Sequence, residues 1–131
     1  MSINTRAAAG SKRARGKVTT TNGTATAIVV TGGLVMPNSS AWVVTARVVG
    51  RRTDSGSEVA GYDLRAVIKR GANAASTAVV GSATQTVLGE DSAAWDAALG
   101  VDTTAGGPKV TVTGEAGKTI KWTAQFSVVA A

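Results

Sequence analysis

A Gly-Lys-Thr triplet at Gly117-Lys118-Thr119 is the first feature of this chain that suggests chemistry. A phosphate-cradling loop needs G-x-x-x-x-G-K-[ST] between a strand and a helix. The run Gly114-Glu115-Ala116-Gly117-Lys118-Thr119 is two residues short of that spacing, and β-type alternation follows it. It reads as a hairpin loop over Gly114 to Gly117. The carboxylates are Asp54, Glu58, Asp63, Glu90, Asp91, Asp96, Asp102 and Glu115. A carboxylate pair at the right separation can cleave a glycosidic bond. Only Glu90 and Asp91 are adjacent, however, and they fall in a predicted loop. Asp54, Glu58 and Asp102 lack the spacing of a calcium loop.

The chain has no His and no Cys. That removes the commonest general base and transition-metal ligand, together with Ser-His and Cys-His nucleophile pairs. It also removes any disulfide framework. The reading is a non-enzyme with no cofactor and no metal site.

Two further groups invite a binding role. Trp42, Trp95 and Trp122 could stack on sugars, but each lies in phase with the apolar residues of its segment, so they read as core anchors. The second group is basic. Arg6, Lys12, Arg13, Arg15 and Lys17 fall within residues 1–17, which contain no acid, while the net charge of the whole chain is +6. These five are the candidate partner-binding residues. Protein docking ranks first for them, a solvated tail second and nucleic acid third, because no basic stripe with interleaved exposed aromatics is evident. Arg47, Arg51, Arg52, Arg65, Lys69 and Arg70 lie at outward positions or in turns, where they form a basic patch or pair with Asp54, Glu58 and Asp63.

The elements that must position these residues are strands. The 131 residues fit one domain, and aromatics are scarce, so the core falls to Val, Ala, Leu and Ile. Residues 1–17 show no sustained apolar period and read as a flexible basic N-terminal arm. Residues 18–131 form the domain. Asn22-Gly23 between β-prone runs predicts a type I′ hairpin. Trp42, Val44, Ala46 and Val48 alternate along one strand, and Tyr62, Leu64, Ala66 and Ile68 along the next, with Thr53 to Gly56 as the turn between them. Ala78 to Gly81 and Ala83 to Leu88 read as two short strands. Trp95, Ala97, Leu99 and Val101 sit two apart and favour a strand over a helix capped by Asp91 or Ser92. Lys109 to Thr113 and Thr119 to Val129 alternate cleanly. The longest apolar runs are a few residues, far short of a membrane span. The N-terminus carries no apolar signal region. About eight strands predict an all-β antiparallel sandwich or jelly roll.

Several stretches resemble a β-module of tailed-bacteriophage structural proteins. They are Val49-Gly50-Arg51-Arg52-Thr53-Asp54, Ala60-Gly61-Tyr62, Ile68-Lys69-Arg70-Gly71-Ala72, Val87-Leu88-Gly89-Glu90-Asp91 with Trp95-Asp96, Lys109 to Gly114, and Thr119-Ile120-Lys121-Trp122. The resemblance covers about residues 40–129. It implies a virion protein made in the host cytoplasm and often a homotrimer. Such modules end tail fibres on long shafts, and a basic arm in place of a shaft points instead to a capsid decoration or cement protein. That role implies binding to the major capsid protein on the outside of the head, with the arm ordering on the lattice. The alternative is a tail-fibre or receptor-binding tip that recognises a host saccharide.

Overall fold

The computed structural model describes residues 10–30 and 33–131. Among the described residues, nine strands build two antiparallel sheets packed face to face. They are β1 (Gly10–Thr20), β2 (Thr26–Ala27), β3 (Val29–Val30), β4 (Ser40–Arg52), β5 (Val59–Arg70), β6 (Ala78–Glu90), β7 (Asp96–Asp102), β8 (Gly107–Thr113) and β9 (Ile120–Ala130). The large sheet runs β3-β1-β9-β4-β5-β6 and the small one β2-β8-β7. The all-β sandwich expected from the Val- and Thr-rich alternation is therefore the fold.

Period-two burial drives the assembly. In β4, β5 and β9 every second side chain is buried, including Trp42, Val44, Tyr62, Leu64, Ile68, Trp122 and Phe126. Ala97 and Leu99 from β7, and Val110 and Val112 from β8, close the core from the small sheet. Trp122 stands at its centre, edge-on to Trp95 with ring centroids 5.7 Å apart and stacked on Tyr62 at 6.5 Å. All three Trp are buried, as core anchors must be. Gly50 makes room for Trp122, since a Cβ there would lie 2.6 Å from the indole.

Four local expectations are corrected. First, residues 10–17 are not an arm. Gly10–Thr20 pairs with β9 along its whole length, from Gly10 opposite Ala130 to Thr20 opposite Ile120. The inward positions are Lys12, Ala14, Gly16 and Val18, and small residues carry little apolar signal. Gly16 must be small because a Cβ would meet Ile28 Cγ2 and the Val29 carbonyl oxygen, each at 2.7 Å. The part of the proposed arm before Gly10 lies outside the described residues.

Second, Asn22-Gly23 is not a type I′ turn, because neither residue has positive φ. The Asn22 side chain instead accepts from the Thr24 amide at 2.9 Å. The chain then leaves for the small sheet as β2 and returns as β3 to pair with β1.

Third, Gly114–Gly117 is not a hairpin loop, because β8 and β9 belong to different sheets. Fourth, the two short strands predicted from Ala78 to Leu88 form one strand, β6, with register shifts against β5 at Gly61/Tyr62 and Arg65/Val67. Gly81, at φ 74°, lies within the second irregular stretch. The Thr53–Gly56 turn and the strand beginning at Asp96 match expectation.

Candidate interaction face

In an antiparallel sheet, residues directly opposite one another project to the same side. The pairings of the large sheet therefore set side chains in cross-strand rows on its outer face. Arg13, Ser127, Thr45, Arg65 and Thr84 form one row, and Arg15, Gln125, Arg47, Asp63 and Thr86 the next. Lys17, Thr123, Val49, Gly61 and Gly89 form a third, and Thr19, Lys121, Arg51 and Val59 a fourth. Adjacent strands lie about 4.8 Å apart. With Lys69, eight of the fourteen Lys and Arg residues point out from this face, against one acid among the described residues, Asp63.

Arg65 is held by Asp63, which also raises its pKa through the shared hydrogen bond. Arg13, Arg15, Lys17, Arg47, Arg51, Lys69 and Lys121 make no ion pair among the described residues. A shallow depression over Gly61 is lined by Arg15, Arg47, Val49, Leu88, Thr123 and Gln125.

One row is apolar. Val129, Val43, Val67 and Val80 lie side by side across β9, β4, β5 and β6. All four are exposed, from 43% at Val67 to 65% at Val129. Four valines in register make a continuous apolar stripe bordered by the Arg13–Arg65 row, unlike singly scattered surface hydrophobics.

The candidate residues divide. Arg13, Arg15 and Lys17 lie on this face. Lys12 points inward, with Nζ 5.0 Å from the Trp42 ring centroid, so its stem covers the core and its charge sits on an aromatic face. Arg6 lies outside the described residues. Of the second basic group, Arg47, Arg51, Arg65 and Lys69 join the face. Arg70 is drawn off to the loops, donating to Asn38 Oδ1 at 3.0 Å and to the Met36 carbonyl at 2.8 Å. Arg52 pairs with Asp54 and Glu58. Lys121 and the valine row were not singled out from sequence. Their signal is the strand register, which requires knowing which distant strands pair.

The remaining charges tie the sandwich together at one end. Lys118 bridges Glu58 at 2.6 Å and Glu115 at 2.9 Å. Glu115 also accepts from Ser92 and from Trp95 Nε1. The Lys118 hydrogen bond holds Glu58 down to about 2, and Arg52 and Lys118 hold Asp54 and Glu115 below their usual range. Lys118 is thus engaged by carboxylates and not offered to a phosphate. Glu90 accepts from the Tyr62 hydroxyl at 2.6 Å, and Asp91 from the Val59 amide at 3.0 Å. Among the described residues no cluster of three or more acids gathers as a metal site would require.

No family model, no curated protein and no solved structure matches this chain.

Proposed function

We propose that this chain is a structural protein of a tailed-phage virion, a decoration or cement protein that binds the outside of the head. The reading joins the resemblance over residues 40–129 to one structural observation. The outer face of the large sheet offers seven cations without ion pairs beside a row of exposed valines. A face of this kind suits an acidic protein surface with an apolar strip, and on this reading that surface is presented by the major capsid protein. The charges supply orientation and encounter rate, and the valines supply burial. Fixed cations on a sheet lose less conformational freedom on docking than cations on a free arm.

Nucleic acid is a weaker reading. The described residues include no exposed aromatic on which a base would stack. A saccharide-binding tip meets the same objection, because Trp42, Trp95 and Trp122 are all buried.

The test is cosedimentation with intact heads, and separately with isolated tails, of the phage that carries the gene. The expected result is saturable binding to heads, weakened by salt, and lost in the double variant Arg15→Glu/Arg47→Glu. Binding to tails alone, or to neither, overturns the reading.

A further inference from the structure

We infer that the depression over Gly61 binds an extended acidic peptide segment of a partner protein. A carboxylate is held at its Arg15–Arg47 end, and the peptide backbone lies over Gly61 and Gly89. The inference rests on the reading of this face as a protein-docking surface and names the chemistry of what docks. Its test uses a free peptide, so its failure is distinct from a failure of head binding.

The depression has a volume of about 440 Å³, within the range of ligand sites. Its lining runs from Arg15 on β1 to Leu88 on β6, across five neighbouring strands, about 19 Å at the usual strand spacing. A free inorganic anion would fill one end, whereas about six residues of extended chain span the whole. One end is cationic. Arg15 and Arg47 stand on either side of Gln125, with their backbones about 10 Å apart. Neither has an ion pair among the described residues, because Asp63, opposite Arg47, is taken by Arg65 at 3.3 Å. Two free guanidinium forks flanking a carboxamide suit a carboxylate.

The other end is apolar and open. Gly61 pairs with Gly89 and Tyr62 with Val87, so Leu88 is an extra residue in the ladder. A bulge of this kind re-aims a side chain. Leu88 lines the depression and is 64% exposed, with Val49 on the far side of Gly61. Neither Gly61 nor Gly89 has positive φ. A Cβ at Gly89 would meet nothing within 4 Å, and one at Gly61 only the Val48 carbonyl oxygen at 3.8 Å and Leu88 Cβ at 4.0 Å. The fold therefore requires neither glycine, unlike Gly50 under Trp122, and glycine weakens a strand interior. Two facing glycines on an outer face leave room for another backbone to approach closely. A segment with acidic residues followed by an apolar one matches both ends.

The test is calorimetric titration of the full-length chain with the acetylated, amidated hexapeptide Glu-Ala-Glu-Ala-Val-Ala at low salt. Its extended form puts both Glu and the Val on one side. Saturable binding is expected, with amide shift changes centred on Arg15, Arg47, Gly61 and Leu88. Arg47→Gln should raise the dissociation constant about tenfold. Gly61→Val, which changes no charge, should raise it about fivefold or more. Gly89→Val repeats that test if a thermal melt shows Gly61→Val unfolded. Lys69→Gln, at the far end of β5, should stay within about twofold of the parent. Absence of saturable binding overturns the inference. So does an equal loss from Lys69→Gln and Gly61→Val, which is the signature of diffuse charge attraction. Inorganic phosphate that binds as tightly as the peptide overturns it too, making this a site for free oxyanions.

Discussion

The two long outer strands of the large sheet follow opposite rules. Among the described residues, β1 pairs with β9 alone from Gly10 to Arg15, and that open stretch carries Lys12, Arg13 and Arg15. The opposite edge, β6, is longer, carries no charge before Glu90, and exposes Val80, Val87 and Leu88. β1 faces a core that grips it, since Ala14 is buried and Gly16 admits Ile28. β6 overhangs the core, and Gln85 is the residue that reaches across, donating to Asp96 and to the Ala97 carbonyl. The contrast separates two jobs. β1 is integral to the fold and displays charge, whereas β6 adds little to the fold and displays backbone.

Truncation gives the largest expected effect. Removing residues 1–17 takes away most of the strand that covers β9, leaving Ala124, Phe126 and Val128 without their partners in β1. The expected cost is of the order of the whole stability of such a domain, about 5–15 kcal/mol, and a thermal melt should show no cooperative transition. A truncated body that melts normally would return these residues to the status of an arm.

Glycine substitutions sharpen the contrast at single positions. Gly16→Val in β1 drives a side chain into Ile28 and the Val29 carbonyl, and Gly50→Val drives one into Trp122. Each should lose about 1–3 kcal/mol in a denaturant titration. In β6, a Cβ at Gly89 meets nothing within 4 Å, so Gly89→Ala should stay within about 0.5 kcal/mol of the parent. Comparable losses at Gly16 and Gly89 would erase the distinction between the strands.

The smallest effect is in acid. Glu58, Asp54 and Glu115 all have carboxyl pKa values lowered by folding, Glu58 to about 2. Their contribution is complete above the ordinary carboxylate pKa near 4.5 and is lost as pH falls from there through about 2. The midpoint of thermal unfolding should decline over that window, and Lys118→Met should flatten the decline. These groups tie the β4–β5 turn to the β8–β9 crossover, so the loss should leave the pairing of β1 untouched.

The sequence made β4, β5, β8 and β9 legible because their inward residues are large and alternate cleanly, Trp42 to Val48 and Ile120 to Val128 among them. β1 was hidden because its inward residues are Lys12, Ala14 and Gly16, whose small size or amphipathic stem registers as the absence of a pattern. Gly114–Gly117 resembles a hairpin loop locally, and only the partition of β8 and β9 between two sheets shows otherwise. The interaction face was half legible. Its cations were visible as residues, but their assembly into rows depends on pairings as distant as Gly10 with Ala130. The valine stripe consists of residues from four strands that no local period connects.

The central claim is that the cations of β1 stand on a fixed sheet and not on a free arm. Amide hydrogen exchange of the purified, unbound protein tests it most directly. The account predicts that the β9-bonded amides between Gly10 and Thr20 are protected to the same degree as those of β9, while the outward-facing amides of β6 exchange faster. Exchange between Gly10 and Lys17 at the rate of an unstructured peptide would contradict it.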